Sequence, residues 1–285
     1  MHTPFRFEDA PDLPGADRVA RCGLSVLRQA VQRLWNVEVE GVENIPLNGA
    51  AIIAPNHLSF CDSVFVPAAI PRRVWAIGKG EYMDDWKTRH LFPAMGMIPV
   101  DRSGGDASKV ALDTAAKVLA GGHLFMIYPE GTRSRTTHLH KGRTGAARLA
   151  ARTGAPIIPV GHQGTLAIQP PDQFRMKTGL SCTIRFGEPV NVSDFGDPSD
   201  PRIARTVTDA LMFRISELSG QSYVDTYAGR SLSPTTEAPQ PRISVPKRPS
   251  PGPRPSPSNR ATPAPSVDLR RPVITSTATE RHHPR

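Results

Sequence analysis

A histidine and an aspartate follow an apolar segment in the sequence AAIIAPNHLSFCDS. His57 and Asp62 are separated by four residues. A neutral imidazole can accept a proton from a hydroxyl near neutral pH, and a carboxylate on its other ring nitrogen fixes the tautomer and stabilises the imidazolium. The pair is therefore a candidate general base with an orienting carboxylate. The structural alternative is a capping box, with Ser59 as N-cap and Asp62 three residues later.

Polar and charged residues follow three further apolar segments. Lys79 follows VWAIG, Arg102 follows GMIPVD, and LFMIYP is followed by Glu130, Gly131, Thr132 and Arg133. A guanidinium binds phosphate through two parallel hydrogen bonds, and N–H groups around a glycine turn can add donors. These residues are candidates for a phosphate-binding acceptor site. The alternative for Arg102 and Arg133 is an ordinary surface charge or ion pair.

Several catalytic motifs are missing from the sequence. It contains no G-x-S-x-G, Walker A or G-x-G-x-x-G pattern, which disfavours a serine acyl-enzyme, nucleotide hydrolysis and dinucleotide chemistry. A base at His57 would therefore activate a substrate hydroxyl or water directly. The three cysteines (Cys22, Cys61 and Cys182) are too few and too scattered for a disulfide framework or a metal site, and indicate a reduced, cytosolic setting.

The elements that must position these residues alternate between short apolar strands and helices. Strands are predicted at NVEVEG, AAIIAPN, VWAIGK, GMIPVDR, HLFMIYP, APIIPVG and CTIRFGEPV, and helices near residues 107–119, 144–151 and 201–219. This order predicts an α/β fold with a central mixed, largely parallel sheet flanked by helices. Ligands of such sheets gather outside the carboxyl ends of the strands. We therefore expect the candidate residues to share one site.

The two ends of the chain differ from the centre. We predict a flexible N-terminus over 1–15, an amphipathic helix over 16–36, the catalytic domain over 37–228 and a disordered Pro/Ser/Arg-rich tail over 229–285. The arginines of the amphipathic helix, Arg28 among them, share one face, and its apolar side chains, Val26 and Leu34 among them, share the other. The helix could lie in an anionic bilayer surface or pack on the domain with its arginines in water. The N-terminus does not resemble a secretory signal, and no apolar run is long enough for a transmembrane helix.

The charge distribution argues against nucleic acid as a partner. The formal net charge is +9, and most of it lies in the tail. A nucleic-acid-binding domain would carry such charge on a folded face. A flexible basic tail favours anionic surfaces in general, or has no partner at all.

Taken together, the motifs resemble those of the glycerolipid acyltransferase family, which includes the 1-acylglycerol-3-phosphate acyltransferases. The resembling segments are NHLSFCD, GKGEYMDDW with GMIPVDR, EGTRS, and APIIPVG, in the family's order and over about residues 37–190. The resemblance implies that His57 deprotonates the acceptor hydroxyl and that Asp62 orients His57. It also implies that Glu130, Gly131, Thr132 and Arg133 shape the acceptor site, with Arg133 and Arg102 on the phosphate and Lys79 in the same pocket.

The reaction implied by this resemblance is transfer of a fatty acyl group from an acyl thioester to lysophosphatidic acid, giving phosphatidic acid. The donor would be acyl-CoA or acyl-acyl carrier protein, with no prosthetic group and no metal. Alternatives are another acceptor, such as a lysophospholipid, glycerol-3-phosphate or a glycolipid, or an acyl-thioesterase. The expected partners are a lysophospholipid and a membrane surface, and the expected location is cytoplasmic, on the inner face of the cell membrane. Chain length, donor type, acceptor position and oligomeric state stay open.

Overall fold

The computed structural model describes residues 16–79, 96–100, 107–171, 173 and 175–229. The chain divides into two units, Met1–Ser250 and Pro251–Arg285, and every described residue belongs to the first. The predictions of a flexible segment 1–15 and a disordered tail therefore fall outside the described residues, apart from Gly229. Both stay predictions.

The described elements alternate between helices and strands, as the sequence pattern predicts. In chain order they are α1 (Ala16–Leu34), β1 (Asn36–Glu40), β2 (Ala51–Pro55), α2 (Asp62–Ala69), β3 (Val74–Lys79), β4 (Met97–Val100), α3 (Ala107–Ala120), β5 (Leu124–Met126), β6 (Leu139–His140), α4 (Gly145–Thr153), β7 (Ile157–Gln163), α5 (Thr165–Ile168), β8 (Ser181–Phe186), α6 (Ile203–Ser219) and β9 (Tyr223–Val224). Short 3-10 helices span Val42–Asn44 and Val192–Phe195.

Seven strands form the main sheet, in the order β1-β8-β7-β2-β5-β3-β4. All neighbouring pairs are parallel except β7 and β8, which are antiparallel. This confirms the predicted mixed, largely parallel sheet. The three central neighbours β7, β2 and β5 run in the same direction, so their carboxyl ends meet at one edge.

The core lies on both faces of the sheet because side chains alternate along each strand. On β2, Ile52 and Ala54 point to the face covered by α3, α4 and α6, whereas Ala51 and Ile53 point to the face covered by α1 and α2. All of β2 is buried. A strand buried on both faces is typical of a parallel sheet with helical layers on each side. This rigid centre supports the loops at the carboxyl edge.

Helix α6 packs closely against β7 at a glycine. A Cβ atom on Gly161 would lie 2.4 Å from both the carbonyl carbon of Leu218 and the backbone nitrogen of Ser219. Such a contact is far inside van der Waals distance, so only glycine allows the helix backbone to approach the strand this closely. The helix then ends at Gly220, whose φ of 67° is left-handed. This approach fixes where the chain leaves α6, directly above the carboxyl edge of β7.

Helix α1 departs in part from the predicted division into an apolar and a basic face. Arg28, expected on the basic face, donates from Nε to the carbonyl oxygen of Ala68 at 3.0 Å and from Nη2 to that of Ile70. These are carbonyl groups at the C-terminal end of α2, where a cation is favoured by the helix dipole. Conversely, the side chains of Val26 and Leu34, expected on the apolar face, are 66% and 46% exposed. Helix α1 therefore packs on the domain and also leaves apolar side chains uncovered.

A second, two-stranded sheet was not predicted. β6 and β9 pair in parallel, with Leu139 opposite Tyr223 and His140 opposite Val224. Each strand has only two residues, too few for an alternating pattern. This pairing brings the segment after α6 beside the loop that follows β5.

Candidate active site

His57 and Asp62 are in direct contact in the loop between β2 and α2. The Nδ1 atom of His57 lies 3.0 Å from Oδ2 of Asp62. The same oxygen accepts the backbone N–H groups of Leu58 and Ser59, each at 2.7 Å. Asp62 is fully buried, and the side chain of His57 is 14% exposed. The carboxylate therefore fixes both the imidazole and the backbone of the loop, and leaves the imidazole accessible from one side.

Only one of the two hydrogen bonds of a capping box is present between Ser59 and Asp62. The N–H of Ser59 does bond to Asp62, as the reciprocal bond of a capping box requires. However, the Ser59 hydroxyl donates to the carbonyl oxygen of Gln169 at 2.8 Å, and helix α2 begins at Asp62 itself. Because the carboxylate also binds the imidazole, its role is not limited to starting a helix.

The electrostatic setting of the pair favours a neutral imidazole beside an ionised carboxylate. Burial lowers the pKa of His57 below its ordinary value, while the hydrogen bond to Asp62 acts in the opposite direction. Burial by itself would raise the pKa of Asp62, but His162, His57 and the backbone N–H of Ser59 outweigh it and lower that pKa. A neutral imidazole whose Nδ1–H donates to a carboxylate presents a free lone pair on Nε2. That is the form a general base requires.

The face of the imidazole is covered by Tyr128, which follows β5. The two rings are stacked, with centroids 3.7 Å apart and an interplanar angle of 12°. The phenol oxygen of Tyr128 lies 2.9 Å from the Ser63 hydroxyl, which fixes the ring from the first turn of α2. The carboxylate thus restricts rotation of His57 at Nδ1, and the aromatic ring restricts tilting.

Glu130 lies close to His57 but binds backbone groups in this structure. Its Oε1 accepts the N–H of His57 and its Oε2 accepts the N–H of His140, both at 3.0 Å. The residue is 1% exposed, and burial raises the pKa of its carboxyl group to about 7. Both oxygens of Glu130 therefore hold backbone groups, one of them in the loop that carries His57, and its predicted role in shaping the acceptor site stays a prediction.

Gly131 forms the turn that follows Glu130. Its φ is +77°, a left-handed conformation that glycine adopts without strain. A Cβ atom at this position would lie 2.8 Å from both Cδ and Nε of Arg143. The side chain of Arg143 lies against this turn, with its guanidinium 5.2 Å from the ring centroid of Tyr227. The turn is thus shaped by a glycine and covered by an arginine.

A small cavity of about 90 Å³ lies beside the loop between β2 and α2 that carries His57. It is lined by Leu58, Thr132, Arg133, Ser134, Arg135 and Pro171. The lining contains two guanidinium groups and two hydroxyl groups, which suit an anion with several oxygen atoms. Arg133 also acts electrostatically on His57, where it lowers the pKa. A larger cavity of about 320 Å³, between the segment after β8 and helix α6, has none of the predicted site residues in its lining.

The remaining candidates are only partly described. Lys79 is the last residue of β3, at the same edge of the sheet as His57. The structure describes its backbone but not its side chain. Arg102 lies outside the described residues. Within the described ranges, no three His, Cys, Asp or Glu side chains are arranged to hold a metal ion. Burial raises the pKa of Cys61 to about 12, so this thiol stays protonated and is a poor nucleophile.

Comparisons with known proteins identify the domain that carries this site. A model of the acyltransferase family matches residues 36–163. A 1-acyl-sn-glycerol-3-phosphate acyltransferase of Bacillus subtilis is 29% identical over 187 residues, covering 65% of this chain and 89% of the relative. A mouse enzyme, 1-acyl-sn-glycerol-3-phosphate acyltransferase alpha, is 26% identical over 184 residues, which is 64% of this chain and 65% of the relative. Residues 36–163 match the acyltransferase family, and this part of the chain is called the acyltransferase domain below.

A solved structure supports the fold of this acyltransferase domain independently. The 1-acyl-sn-glycerophosphate acyltransferase of Thermotoga maritima matches with a TM-score of 0.59 and 24% identity, covering 71% of this chain and 80% of that one. Coverage differs among the curated relatives, since the chain spans only 40% of the Arabidopsis thaliana chloroplast enzyme. The shared part is the α/β domain that holds His57 and Asp62.

Two buried polar residues of the acyltransferase domain were missed by the sequence analysis. The side-chain oxygen of Asn56 accepts the N–H of His162 at 2.9 Å, and its amide nitrogen donates to the His162 carbonyl at 3.1 Å. The Nε2 atom of His162 lies 2.8 Å from the Asn56 carbonyl oxygen and 3.6 Å from Oδ2 of Asp62. The sequence feature that could have identified them is a polar residue at the end of each of two buried strands, Asn56 in APNH and His162 in PVGH.

Proposed function

We propose that this acyltransferase moves a fatty acyl group from an acyl thioester to the free hydroxyl of lysophosphatidic acid and so forms phosphatidic acid. The observation that carries the proposal is the 3.0 Å contact between His57 and Asp62, beside a cavity lined by Arg133 and Arg135. An enzyme that acts on a phosphorylated alcohol needs a base to deprotonate the hydroxyl and a cavity to bind the phosphate. The relatives from Bacillus subtilis and mouse are named for the same substrate class, which supports the proposal.

The chemistry follows from the geometry of the pair. Nε2 of His57 accepts the hydroxyl proton of the acceptor while Nδ1–H donates to Asp62. The acceptor oxygen attacks the thioester carbonyl, and the tetrahedral intermediate then expels the thiolate. The imidazolium returns its proton to that sulfur, so the products are the ester and a free thiol. A thioester is already activated, and we propose that the reaction needs neither a metal nor a prosthetic group.

The acceptor would be oriented by its phosphate in the cavity beside Leu58. Arg133 and Arg135 supply charge, and Thr132 and Ser134 line the same space. The backbone N–H of Ser134 already donates to the carbonyl oxygen of His57 at 2.7 Å. This bond connects the cavity to the loop of residues 56–61, called the catalytic loop below. We propose that the phosphate lies on this side of His57. The relatives are named for a 1-acyl acceptor, which would leave the sn-2 hydroxyl to react.

Association with a membrane surface is a finer proposal that rests on α1. Among the described helices, none is long and apolar enough to cross a membrane. Helix α1 leaves Val26 and Leu34 exposed while Val31 is buried in the core. Exposed apolar side chains on a helix that also carries arginines suit the surface of an anionic bilayer. We propose that this helix holds the domain on the inner face of the cell membrane, and that the donor is acyl-CoA or an acyl carrier protein.

Product analysis tests the proposed function. Purified protein is incubated with palmitoyl-CoA and lysophosphatidic acid, and the lipid products are identified by mass spectrometry. We expect phosphatidic acid, in an amount equal to the CoA released. Parallel reactions with glycerol-3-phosphate and lysophosphatidylcholine test the acceptor. Equal transfer to lysophosphatidylcholine would contradict recognition of a phosphomonoester, and release of free palmitate would indicate a thioesterase.

A further inference from the structure

The segment that follows α6 returns to the catalytic loop. Residues Gln221–Tyr227, called the C-terminal strap below, begin directly after the helix cap at Gly220. The strap contains β9, which pairs with β6, and is held further by two backbone bonds, from Leu139 N–H to Ser222 and from Lys141 N–H to Thr226, both 3.0 Å long. The strap lies outside residues 36–163, which the family model matches.

The first residue of the strap reaches the catalytic loop with its side chain. The Oε1 atom of Gln221 accepts a hydrogen bond from Nδ2 of Asn56 at 2.7 Å. Its Nε2 atom donates to the carbonyl oxygen of Thr137 at 2.9 Å. One side-chain amide therefore connects the residue before His57 with the loop that follows the Glu-Gly-Thr-Arg turn.

Asn56 is the link between this bond and the catalytic base. It is fully buried, and its side-chain amide nitrogen donates to both Gln221 and the His162 carbonyl. Its side-chain oxygen accepts the N–H of His162, and its backbone oxygen lies 2.8 Å from Nε2 of that residue. Asn56 is thus held on every polar atom of its side chain. Because it shares a peptide bond with His57, its position sets where the catalytic loop leaves β2.

The strap also acts on His57 from the other side. Glu130 accepts the N–H of His57 through one oxygen and the N–H of His140 through the other. His140 belongs to β6, and its strand partner is Val224 of the strap. The catalytic loop is therefore held at Asn56 by the side chain of Gln221 and at His57 by a carboxylate that the strap supports through β6. These contacts hold the backbone of the catalytic loop both at His57 and at the residue before it.

We infer that Gln221 is a positioning residue for catalysis, which aligns His57 through Asn56. The inference rests on the proposed function only for its effect on turnover. Without the bond from Gln221, a buried N–H of Asn56 loses its acceptor, and the loop that carries His57 loses one of the contacts that fix its start. A shift of this loop weakens the contact between Nδ1 of His57 and Oδ2 of Asp62, and with it the preference for the tautomer that carries its proton on Nδ1. Because Gln221 does not touch the cavity lined by Arg133, binding of the acceptor should change little.

Three variants of the full chain isolate this effect. Gln221→Met keeps the length of the side chain and removes both hydrogen bonds. Gln221→Glu keeps an oxygen acceptor for Asn56. Ser222→Ala is the matched control, because Ser222 contributes its backbone carbonyl and leaves its side chain exposed. All three are compared with the wild type by thermal unfolding, so that a loss of folded protein is separated from a loss of alignment.

The first readout needs no substrate. The ¹⁵N chemical shifts of the His57 ring, assigned with a His57→Gln variant, report which nitrogen carries the proton. In the wild type and in Ser222→Ala we expect a single Nδ1–H tautomer with a slowly exchanging proton. In Gln221→Met we expect a mixture of tautomers and faster exchange, and in Gln221→Glu a spectrum close to that of the wild type.

The second readout is turnover with lysophosphatidic acid. In Gln221→Met we expect kcat to fall about ten- to hundredfold, as a misaligned catalytic group produces, with little change in the acceptor KM. Wild-type ring shifts together with wild-type kcat in Gln221→Met would overturn the inference. A wild-type protein that forms no phosphatidic acid, but whose ring shifts respond to Gln221→Met, would refute the proposed function and leave the positioning role standing.

Discussion

Nδ1 of His57 lies 3.0 Å from Oδ2 of Asp62, and that one oxygen also accepts the backbone N–H groups of Leu58 and Ser59. A single carboxylate oxygen therefore orients the base and shapes the loop that carries it. This dual role explains why the two residues need four others between them: the loop must curl back far enough for both backbone N–H groups to face the same carboxylate.

Asp62→Asn should lower kcat strongly. The asparagine oxygen would stay at the position of Oδ2, because an NH₂ group there would face the backbone N–H groups of Leu58 and Ser59. The neutral amide then no longer stabilises the imidazolium that forms when His57 accepts the proton, so we expect kcat to fall by more than about tenfold. Steady-state kinetics at pH 7.5 measure the effect. Asp113→Asn, the same change on the surface of α3, serves as the control and should leave the kinetics unaltered. Asp62→Asn with more than a tenth of wild-type kcat would argue against stabilisation of the imidazolium by the Asp62 charge.

Glu130 should make folding stability depend on pH. Burial raises its pKa from the model-compound value of 4.5 to about 7. The folded state therefore favours the protonated form, so stability is fully present below about pH 4.5 and is lost as pH rises through about 7. The loss amounts to at most roughly 3 kcal/mol, from 1.36 kcal/mol per pKa unit.

Glu130→Gln isolates that dependence because the amide does not titrate. Urea unfolding at pH 5 and pH 8 gives the free energy of unfolding for both proteins. We expect the wild type to lose more stability between these pH values than the variant. The variant is less stable at pH 5, because its NH₂ group would face one of the two backbone N–H groups, whereas both oxygens of the protonated carboxyl keep lone pairs. Identical pH dependence in the two proteins would show that the Glu130 carboxyl group titrates normally.

Arg133 should govern binding of the acceptor more than the chemical step. A hydrogen bond to a charged group contributes about 1.5–3 kcal/mol, so Arg133→Ala should raise the KM for lysophosphatidic acid roughly ten- to hundredfold. We expect kcat at saturating acceptor to change little. Arg148→Ala, which removes an exposed arginine from α4, is the matched control. An unchanged KM in Arg133→Ala would place the phosphate elsewhere.

Membrane binding should depend on the uncovered apolar side chains of α1. The double variant Val26→Glu, Leu34→Glu should sediment less with phosphatidylglycerol vesicles than the wild type, since it places two carboxylates where apolar groups would enter the bilayer surface. Val110→Glu changes a side chain that is 51% exposed on α3 and should sediment like the wild type. Undiminished binding of the double variant would exclude this face of α1 as the anchor.

Much of the fold could be predicted because its strands and helices carry periodic patterns. The run AAIIAP is apolar throughout and forms β2, and the helix predicted over 107–119 is observed as Ala107–Ala120. The second sheet could not be predicted, since β6 and β9 have two residues each and are held by tertiary contacts. For the same reason no local pattern identifies the return of Gln221 to the catalytic loop.

The candidate site was predictable in its composition but not in all its contacts. His57 and Asp62 were paired correctly from spacing and chemistry. Glu130 was expected to help shape the acceptor site, and its contacts with two backbone N–H groups could not be predicted because such contacts have no sequence signature. His162 was missed because a single buried histidine at a strand end is usually part of the core. Arg28 was assigned to solvent because periodicity does not reveal that the carbonyl groups ending α2 lie within its reach.

The most direct test of the account is the rate of CoA release from palmitoyl-CoA, with and without lysophosphatidic acid, in the wild type and in His57→Ala. We predict acceptor-dependent release in the wild type and none above background in the variant, since a positioned general base contributes about 10²–10⁴-fold in rate. Circular dichroism should show that the variant keeps its fold. Acceptor-dependent release by His57→Ala at the wild-type rate would contradict the central claim that His57 deprotonates the acceptor.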